Sequence, residues 1–293
     1  MPERAYNKYL DEKKLVKREK ECSMKIYGMM LVKDEADILR ECIQDALRWV
    51  DGLFIIDNGS TDGSWEIIQS MKSDQVVPWK QIFTPYRRTM RAEIFAEFRH
   101  ISRNGDWWFF ADADEFYVDN PKEFLANVPK SYHVVFKKSI DYRLTEEDVK
   151  EYTFTGDFSK DKENIRYIEP ICWAETRFFR YREKMEWDLN NEKPLHIGVR
   201  YPKLIIVRHY RYRSPQQIQH RLDIRNKIPR DKEGRPFRHV NEARWEEALR
   251  KRSELVEDRG YDQYLSLPIY RNMQQKTLNR IKNKLLYDLG LYK

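Results

Sequence analysis

Between residues 24 and 116, short apolar runs alternate with stretches of helical spacing, and most of the runs end in carboxylates. Residues 24–32 (MKIYGMMLV) read as a buried strand. Asp34 and Glu35 then open a helix in which Ile38, Leu39, Ile43, Ala46, Leu47 and Val50 recur on one face. A second run, LFII, ends at Asp57, where Asn58-Gly59 turns the chain. Thr61-Asp62 starts a second helix carrying Trp65, Ile67, Ile68 and Met71. A third strand (VVPWKQIF), a helix over Thr89–Ser102 and a strongly apolar strand, Trp107–Ala111, complete the series. This rhythm predicts an α/β fold, a Rossmann-like, mainly parallel sheet flanked by helices on both faces. Sheets of this kind bind ligands beyond the C-terminal ends of their strands. Three acidic clusters lie at such ends: Asp34-Glu35, Asp57, and Asp112/Asp114/Glu115.

Past residue 130 the rhythm changes. Tyr132–Ser139 reads as a strand and residues 141–165 as a polar insertion with poor periodicity. Strands are predicted at 171–181 and 203–209 and helices at 215–228 and 241–258, with IPRDKEGRP as a loop between the helices. The stretch 268–293 reads as a basic amphipathic helix, with Ile269, Met273, Leu278, Ile281, Leu285 and Leu286 on one side. Residues 1–23 are charged throughout, lack an apolar core and read as an arm or helix rather than a secretory signal. The expected organisation is therefore an arm (1–23), one α/β domain (24–228) and a helical C-terminal extension (229–293).

Composition narrows the class. With 41% hydrophobic and 14% aromatic residues, the chain buries enough surface to offset its conformational entropy, which excludes a disordered protein. No run of about 18 uncharged apolar residues exists, which excludes an integral membrane helix. Cys22, Cys42 and Cys172 are odd in number and far apart, forming neither a disulfide framework nor a CxxC site, as expected in a reducing cytoplasm. The net charge of +7 is a modest excess that leaves nucleotides, anionic lipid and nucleic acid open as partners.

WWFFADADEF (107–116) carries the strongest chemical signal. A buried strand delivers Asp112 and Asp114 to the rim with Glu115 beside them. Two carboxylates a few ångströms apart repel by roughly 4 kcal/mol at an effective dielectric near 20. They therefore share a proton, bind a cation or keep one member in water. Hard oxygen donors in a loop suit Mg²⁺ or Mn²⁺. A solvated acidic loop that caps the next helix is the alternative.

The segment LVKDEADILRECIQDALRWVDGLFIIDNGSTDGS followed by DWWFFADADEF resembles the family 2 glycosyltransferases of the GT-A fold, in the branch whose DxD motif reads DADEF. The match runs in order over 27–118, and KLIIVRHYRYRSPQQIQHRLDIR (203–225) resembles the family's C-terminal signature. The resemblance implies a nucleoside-diphosphate sugar donor, a hydroxyl acceptor on a glycan or glycolipid, and inversion at the anomeric carbon. Carried onto this chain, it implies that Asp57 meets the nucleotide base or ribose. Asp34 and Glu35 would meet the nucleotide from the first strand, and a helix N-cap is the competing role for them. Arg91 would face the diphosphate, with Arg87 and Arg88 as competitors. Asp112 would contact ribose or a metal-bound water, and Asp114 and His209 would ligate Mn²⁺ or Mg²⁺, with His196 as the competitor for His209. The family's usual base, an acidic pair opening a helix, is not plainly present. Asp188, in a polar loop well beyond the DxD strand, is the first candidate, with Glu175 next and Asp157 behind them. Trp173 and Trp187 offer faces for stacking on sugars, although core packing accounts for such residues as well.

Three rival readings remain. A nucleotidyltransferase would carry a Gly-rich basic loop after the first strand, where this chain has KDEAD. A DxD phosphatase prefers Thr or Val at the position of Phe116. A nucleic-acid-binding protein would rest on RHYRYR (208–213), against which the DADEF rim would repel phosphate unless a metal sits there. For the C-terminal helix, Arg271, Lys276, Arg280, Lys282 and Lys284 beside the apolar stripe suggest peripheral contact with an anionic membrane face, and packing over the catalytic domain is the alternative.

Overall fold

The computed structural model describes residues 24–87, 89–195, 197–226, 242–270 and 277–289. The arm at 1–23, Arg88, His196 and the IPRDKEGRP loop lie outside the described residues. So do Arg271, Met273 and Lys276 of the C-terminal stretch.

In chain order the regular elements are β1 (Ile26–Val32), α1 (Leu39–Ala46), β2 (Gly52–Asp57), α2 (Ser64–Ser70), β3 (Val76–Gln81), α3 (Met90–Phe98), β4 (Trp107–Asp112), β5 (Glu115–Tyr117), α4 (Pro121–Ala126) and β6 (Val134–Arg143). They continue with α5 (Asp148–Glu151), α6 (Phe158–Asp161), β7 (Tyr167–Ile168), β8 (Trp173–Arg180), β9 (Arg200–His209), α7 (Pro215–Asn226), β10 (Val256–Glu257), α8 (Tyr261–Ser266) and α9 (Thr277–Asp288). The strands form one mixed sheet in the order β10-β7-β6-β8-β4-β1-β2-β3, and β9 pairs with both β5 and β6.

The first half behaves as its pattern demands. β3, β2, β1 and β4 are parallel neighbours. Side chains alternate between the two faces of a strand, so each apolar strand serves two cores. Ile26, Met30, Leu53, Ile55, Trp107 and Phe109 pack with α1 and α2 on one face. Tyr27, Met29, Phe54, Ile56, Trp108 and Phe110 pack with Met90, Ile94 and Phe95 of α3 on the other. Gly28 permits this close layering, because a Cβ there would lie 2.5 Å from the Phe109 ring.

Beyond β4 the sheet turns mostly antiparallel. β8 runs against both β4 and β6, while β9 runs parallel to β6. The stretch 141–165 is not the polar insertion its composition suggested. Its sparse apolar residues Tyr142, Leu144, Phe154, Phe158 and Ile165 are buried with Ile206, Tyr210, Ile218 and Tyr264 in a third core. Aromatic residues spaced irregularly can still converge when short helices and turns reverse the chain between them.

Four boundaries also differ from expectation. The first helix begins at Leu39 rather than at Asp34, because Asp34 adopts φ 52 and bonds across to the loop after β2. The helix at 89–102 ends at Phe98 and tightens into a 3₁₀ turn, Arg99–Ile101. Of the helix predicted at 241–258, the described residues 242–258 are not helical as a run. They form the 3₁₀ turns Trp245–Ala248 and Arg252–Glu254 and the strand β10. Of the predicted C-terminal helix at 268–293, Thr277–Asp288 is helical and residues 268–270 are not, since Ile269 bridges to Cys172, and 271–276 and 290–293 lie outside the described residues. Residues 242–270 pack onto the domain, and buried Lys138 on β6 donates to the carbonyls of Tyr264 and Leu267 at the end of α8. No helix among the described residues is long and apolar enough to cross a membrane.

Candidate functional site

Strand register builds the rim. Asp57 lies beside Val32, and Asp112 lies beside Leu31, at the C-terminal ends of three adjacent parallel strands. The strand behind Asp112 is anchored by Trp107 and Trp108, both fully buried. Truncating either would cost about 3–5 kcal/mol, so the strand is a rigid mount.

Asp57 is fully buried. Its Oδ1 accepts from Ser60 N at 2.8 Å and from Gln81 Nε2 at 3.2 Å, while Oδ2 has no partner. Asp57 does not cap the next helix, whose N-cap is Gly63, and Asp62 Oδ1 accepts from Ser64 N at 2.9 Å. Asp34 likewise does not cap α1. Its Oδ1 accepts from Thr61 N at 2.6 Å, and Oδ2 lies 3.3 Å from Lys33 Nζ and 3.4 Å from His220 Nε2. Glu35 is held by Arg213 at 2.5 Å and Arg221 at 3.1 Å, and Arg213 also clamps Asp37 at 2.7 Å. These ion pairs tie α7 to the end of β1.

Asp112 sits between two guanidinium groups. Arg91 from α3 reaches Oδ1 at 2.5 Å and the Ala111 carbonyl at 2.9 Å, while Arg177 from β8 reaches Oδ2 at 2.8 Å. Burial raises the Asp112 carboxyl, but Arg177, Arg91 and Lys137 outweigh it and hold the group well below the usual carboxylate range. Antiparallel pairing of β8 with β4 and β6 brings Glu175 and Lys137 to the same place. Lys137 bonds Glu115 and lies 3.0 Å from Glu175, and Arg177 lies 2.9 Å from Glu115 and 3.1 Å from Glu175. Burial pushes Glu115 upward despite these cations. In Glu175, whose side chain keeps 41% exposure, Lys137 and Arg177 override burial and bring the carboxyl to about 2. Oxygens of Asp112, Glu115 and Glu175 all lie within 4.8 Å of one another, a spacing a metal ion could bridge. Arg91, Arg177 and Lys137 already balance these three charges.

Asp114 belongs to a second cluster. β5 pairs with β9 so that Glu115 faces His209, and Tyr210 N donates to the Asp114 carbonyl at 2.9 Å. This register carries Asp114 Oδ2 to 3.3 Å from His209 Nε2. On the other side β6 sets Asp141 opposite His209, with Oδ1 2.7 Å from Nδ1. Burial alone would lower the imidazole, but Asp114 and Asp141 raise it from 6.5 to about 9. The pocket therefore favours positive charge between its two carboxylates. An oxygen donor and a ring nitrogen fit Mn²⁺ or Mg²⁺, with Asp141 orienting the ring from behind.

The remaining sequence candidates lie elsewhere. Asp188 is exposed, and its Oδ1 accepts from Asn190 N and Asn190 Nδ2 within its own turn. Asp157 caps α6 through Ser159 N. Arg87 is exposed and 3.6 Å from Glu93. Trp187 packs on Phe110 and Phe179, whereas Trp173 stays partly exposed near Tyr270. Sequence reasoning missed Lys137, Arg177, Asp141, Arg213 and Arg221. The available signal was a charge on the inward-facing register of an otherwise apolar strand, as in VVFKKSI and TRFF.

Several solved structures are similar to the chain. Mannosyl-3-phosphoglycerate synthase from Rubrobacter xylanophilus is 18% identical, with a TM-score of 0.31 over 58% of this chain and 57% of that one. Glucosyl-3-phosphoglycerate synthase from Mycobacterium tuberculosis, solved with Mn²⁺ and uridine-diphosphate-glucose, is 17% identical, with a TM-score of 0.30 over 55% and 57%. A 4-diphosphocytidyl-2C-methyl-D-erythritol synthase is 13% identical, with a TM-score of 0.31 over 54% and 76%. The match thus spans 57% of the length of each of the first two synthases. No curated protein matches the sequence significantly. The sequence profile described as Glycosyl transferase family 2 matches residues 29–184, more than half the chain and the stretch that carries Asp34, Asp57, Arg91, Asp112 and Asp114. By that match the chain belongs to glycosyl transferase family 2.

Proposed function

We propose that this protein moves a glycosyl group from a nucleoside-diphosphate sugar to a hydroxyl of a glycan or lipid-linked acceptor, with inversion. The observation that carries the reading is the convergence of Asp114 and His209 at 3.3 Å, on the rim that also carries Asp57 and Asp112. The unpartnered Oδ2 of Asp57, buried at the strand end, is the oxygen that would meet a base or ribose donor group. Asp112, fixed on both oxygens by Arg91 and Arg177, orients the sugar-nucleotide side of the cleft. Asp114 and His209 would hold Mn²⁺ or Mg²⁺, which when bound supplies Lewis-acid stabilisation of the departing diphosphate. Glu175 is the better candidate for the base. It is ionised at neutral pH and partly exposed, and it stands beside Asp112, whereas the contacts of Asp188 stay within its own turn. In the transfer, the acceptor oxygen bonds to the anomeric carbon as the bond to the diphosphate breaks, and the acceptor proton passes to a Glu175 oxygen.

The test is release of nucleoside diphosphate from a panel of nucleotide sugars with Mn²⁺. Asp114→Ala should lower turnover by about 10²-fold or more. Undiminished turnover in that variant, or no turnover with steeply salt-dependent RNA binding, would overturn the reading.

A further inference from the structure

α9 has two unlike faces. Residues nine positions apart in a helix at about 100° per residue lie on opposite sides. Tyr287 and Leu278 are such a pair. The Tyr287 ring packs 4.2 Å from that of His133, which is 2% exposed, so this side faces the domain. Leu278, Ile281, Leu285 and Leu289 fall on the opposite stripe and are 80%, 49%, 56% and 69% exposed. Apolar side chains lined up along a helix need a cover, and the domain does not supply it.

Charge selects among possible covers. Among the side chains of α9 that the structure describes, the charged ones are Lys282 and Lys284, both basic. Two copies of so basic a helix would repel each other at close approach. Four side chains also fall well short of the roughly 800 Å² per partner of a stable protein interface. An anionic lipid surface meets both demands, taking the apolar stripe between its headgroups and attracting the basic flanks.

We propose that α9 is an interfacial membrane anchor, docked to the domain through Tyr287 and inserted into an anionic lipid surface through Leu278, Ile281, Leu285 and Leu289. The inference is independent of glycosyl transfer, because its readout is vesicle binding and needs no turnover.

Flotation of the full-length chain with phosphatidylcholine vesicles, alone or mixed with phosphatidylglycerol, tests it. The protein should float with the mixed vesicles and bind neutral ones at least about tenfold more weakly, and high salt should release it. The combined variant Leu278→Ser, Ile281→Ser, Leu285→Ser should lose about tenfold or more in affinity while melting like the parent, since these side chains contribute little to the domain. Lys282→Glu should weaken binding by about fivefold with the stripe intact. Absence of binding to mixed vesicles, equal binding to neutral ones, or undiminished binding by the combined variant would each overturn the proposal. A dimer that the combined variant converts to monomer, without vesicle binding, would assign the stripe to a second copy instead.

Discussion

The two halves of the sheet bring opposite charges to the same rim. The first half in chain order, β1 to β5, contributes Asp34, Glu35, Asp57, Asp112, Asp114 and Glu115. The later half contributes Lys137, Arg177, His209, Arg213 and Arg221, which hold Glu35, Asp112, Asp114 and Glu115 in place. Arg177 meets Asp112 across 65 residues, Arg221 meets Asp114 across 107, and Arg213 meets Glu35 across 178. Arg91 and Lys33 are exceptions, cations of the first half, and Asp141 and Glu175 are acids of the second. Acids collect at strand ends by a local rule, whereas the cations arrive only after the chain has folded back. The site is therefore strongly acidic in the order of the sequence and nearly balanced in space.

The sharpest way to break this comparison is to remove one long-range cation. Arg177→Met leaves half-buried Asp112 and buried Glu115 short of their partner and should destabilise the fold by about 3–5 kcal/mol in urea denaturation. The exposed pair of Arg48 with Asp45 makes the control, because Arg48→Met should cost no more than about 1 kcal/mol. Similar losses in the two variants would mean that the rim network is ordinary surface chemistry.

Glu175 and Asp188 separate the sheet rim from an exposed loop of the same later half. Glu175→Gln should slow transfer by about 10²- to 10⁴-fold with donor KM little changed, and Asp188→Asn should stay within about twofold. The reverse ranking would move the base off the sheet and onto the exposed loop.

A smaller effect concerns His133 under α9. Burial lowers its imidazole from 6.5 to about 4, so the unfolded chain takes up the proton first. Its contribution to stability is full above pH 6.5 and is lost as pH falls toward 4. Between neutral pH and about pH 4.5 the parent should lose about 2 kcal/mol more than His133→Gln, measured by denaturant midpoints. Parallel pH profiles for the two proteins would refute this.

The smallest effect belongs to a contact between near neighbours. Asn120 Oδ1 accepts from Lys122 N at 2.9 Å at the start of α4. Asn120→Ala should cost about 1 kcal/mol in thermal melts. A loss as large as that of Arg177→Met would erase the distinction between local and long-range support.

Legibility followed the same division. β1, β2, β4 and α7 stand close to where apolar runs and caps predict them, and Asp57, Asp112 and Asp114 were readable as carboxylates at strand ends. The segments 141–165 and 241–258 were misread. In the first, burial is decided by contacts with β9 and α7. In the second, high helical propensity yields to turns that pack on α7 and extend the sheet edge. Asp34 and Glu35 looked like caps because a cap is a local role, and the long-range partners that claim them lie 27 to 186 residues away.

What the sequence determined by itself was the parallel α/β core and the acidic rim, because strand alternation and strand-end chemistry depend only on neighbours along the chain. What the tertiary structure decided was the state of each acid. Whether Asp112 is pinned between arginines, Asp114 meets His209 or Glu175 keeps an exposed oxygen depends on register between strands distant in sequence. Electrostatic energy depends on separation in space and on burial, and neither quantity is written in the order of the residues.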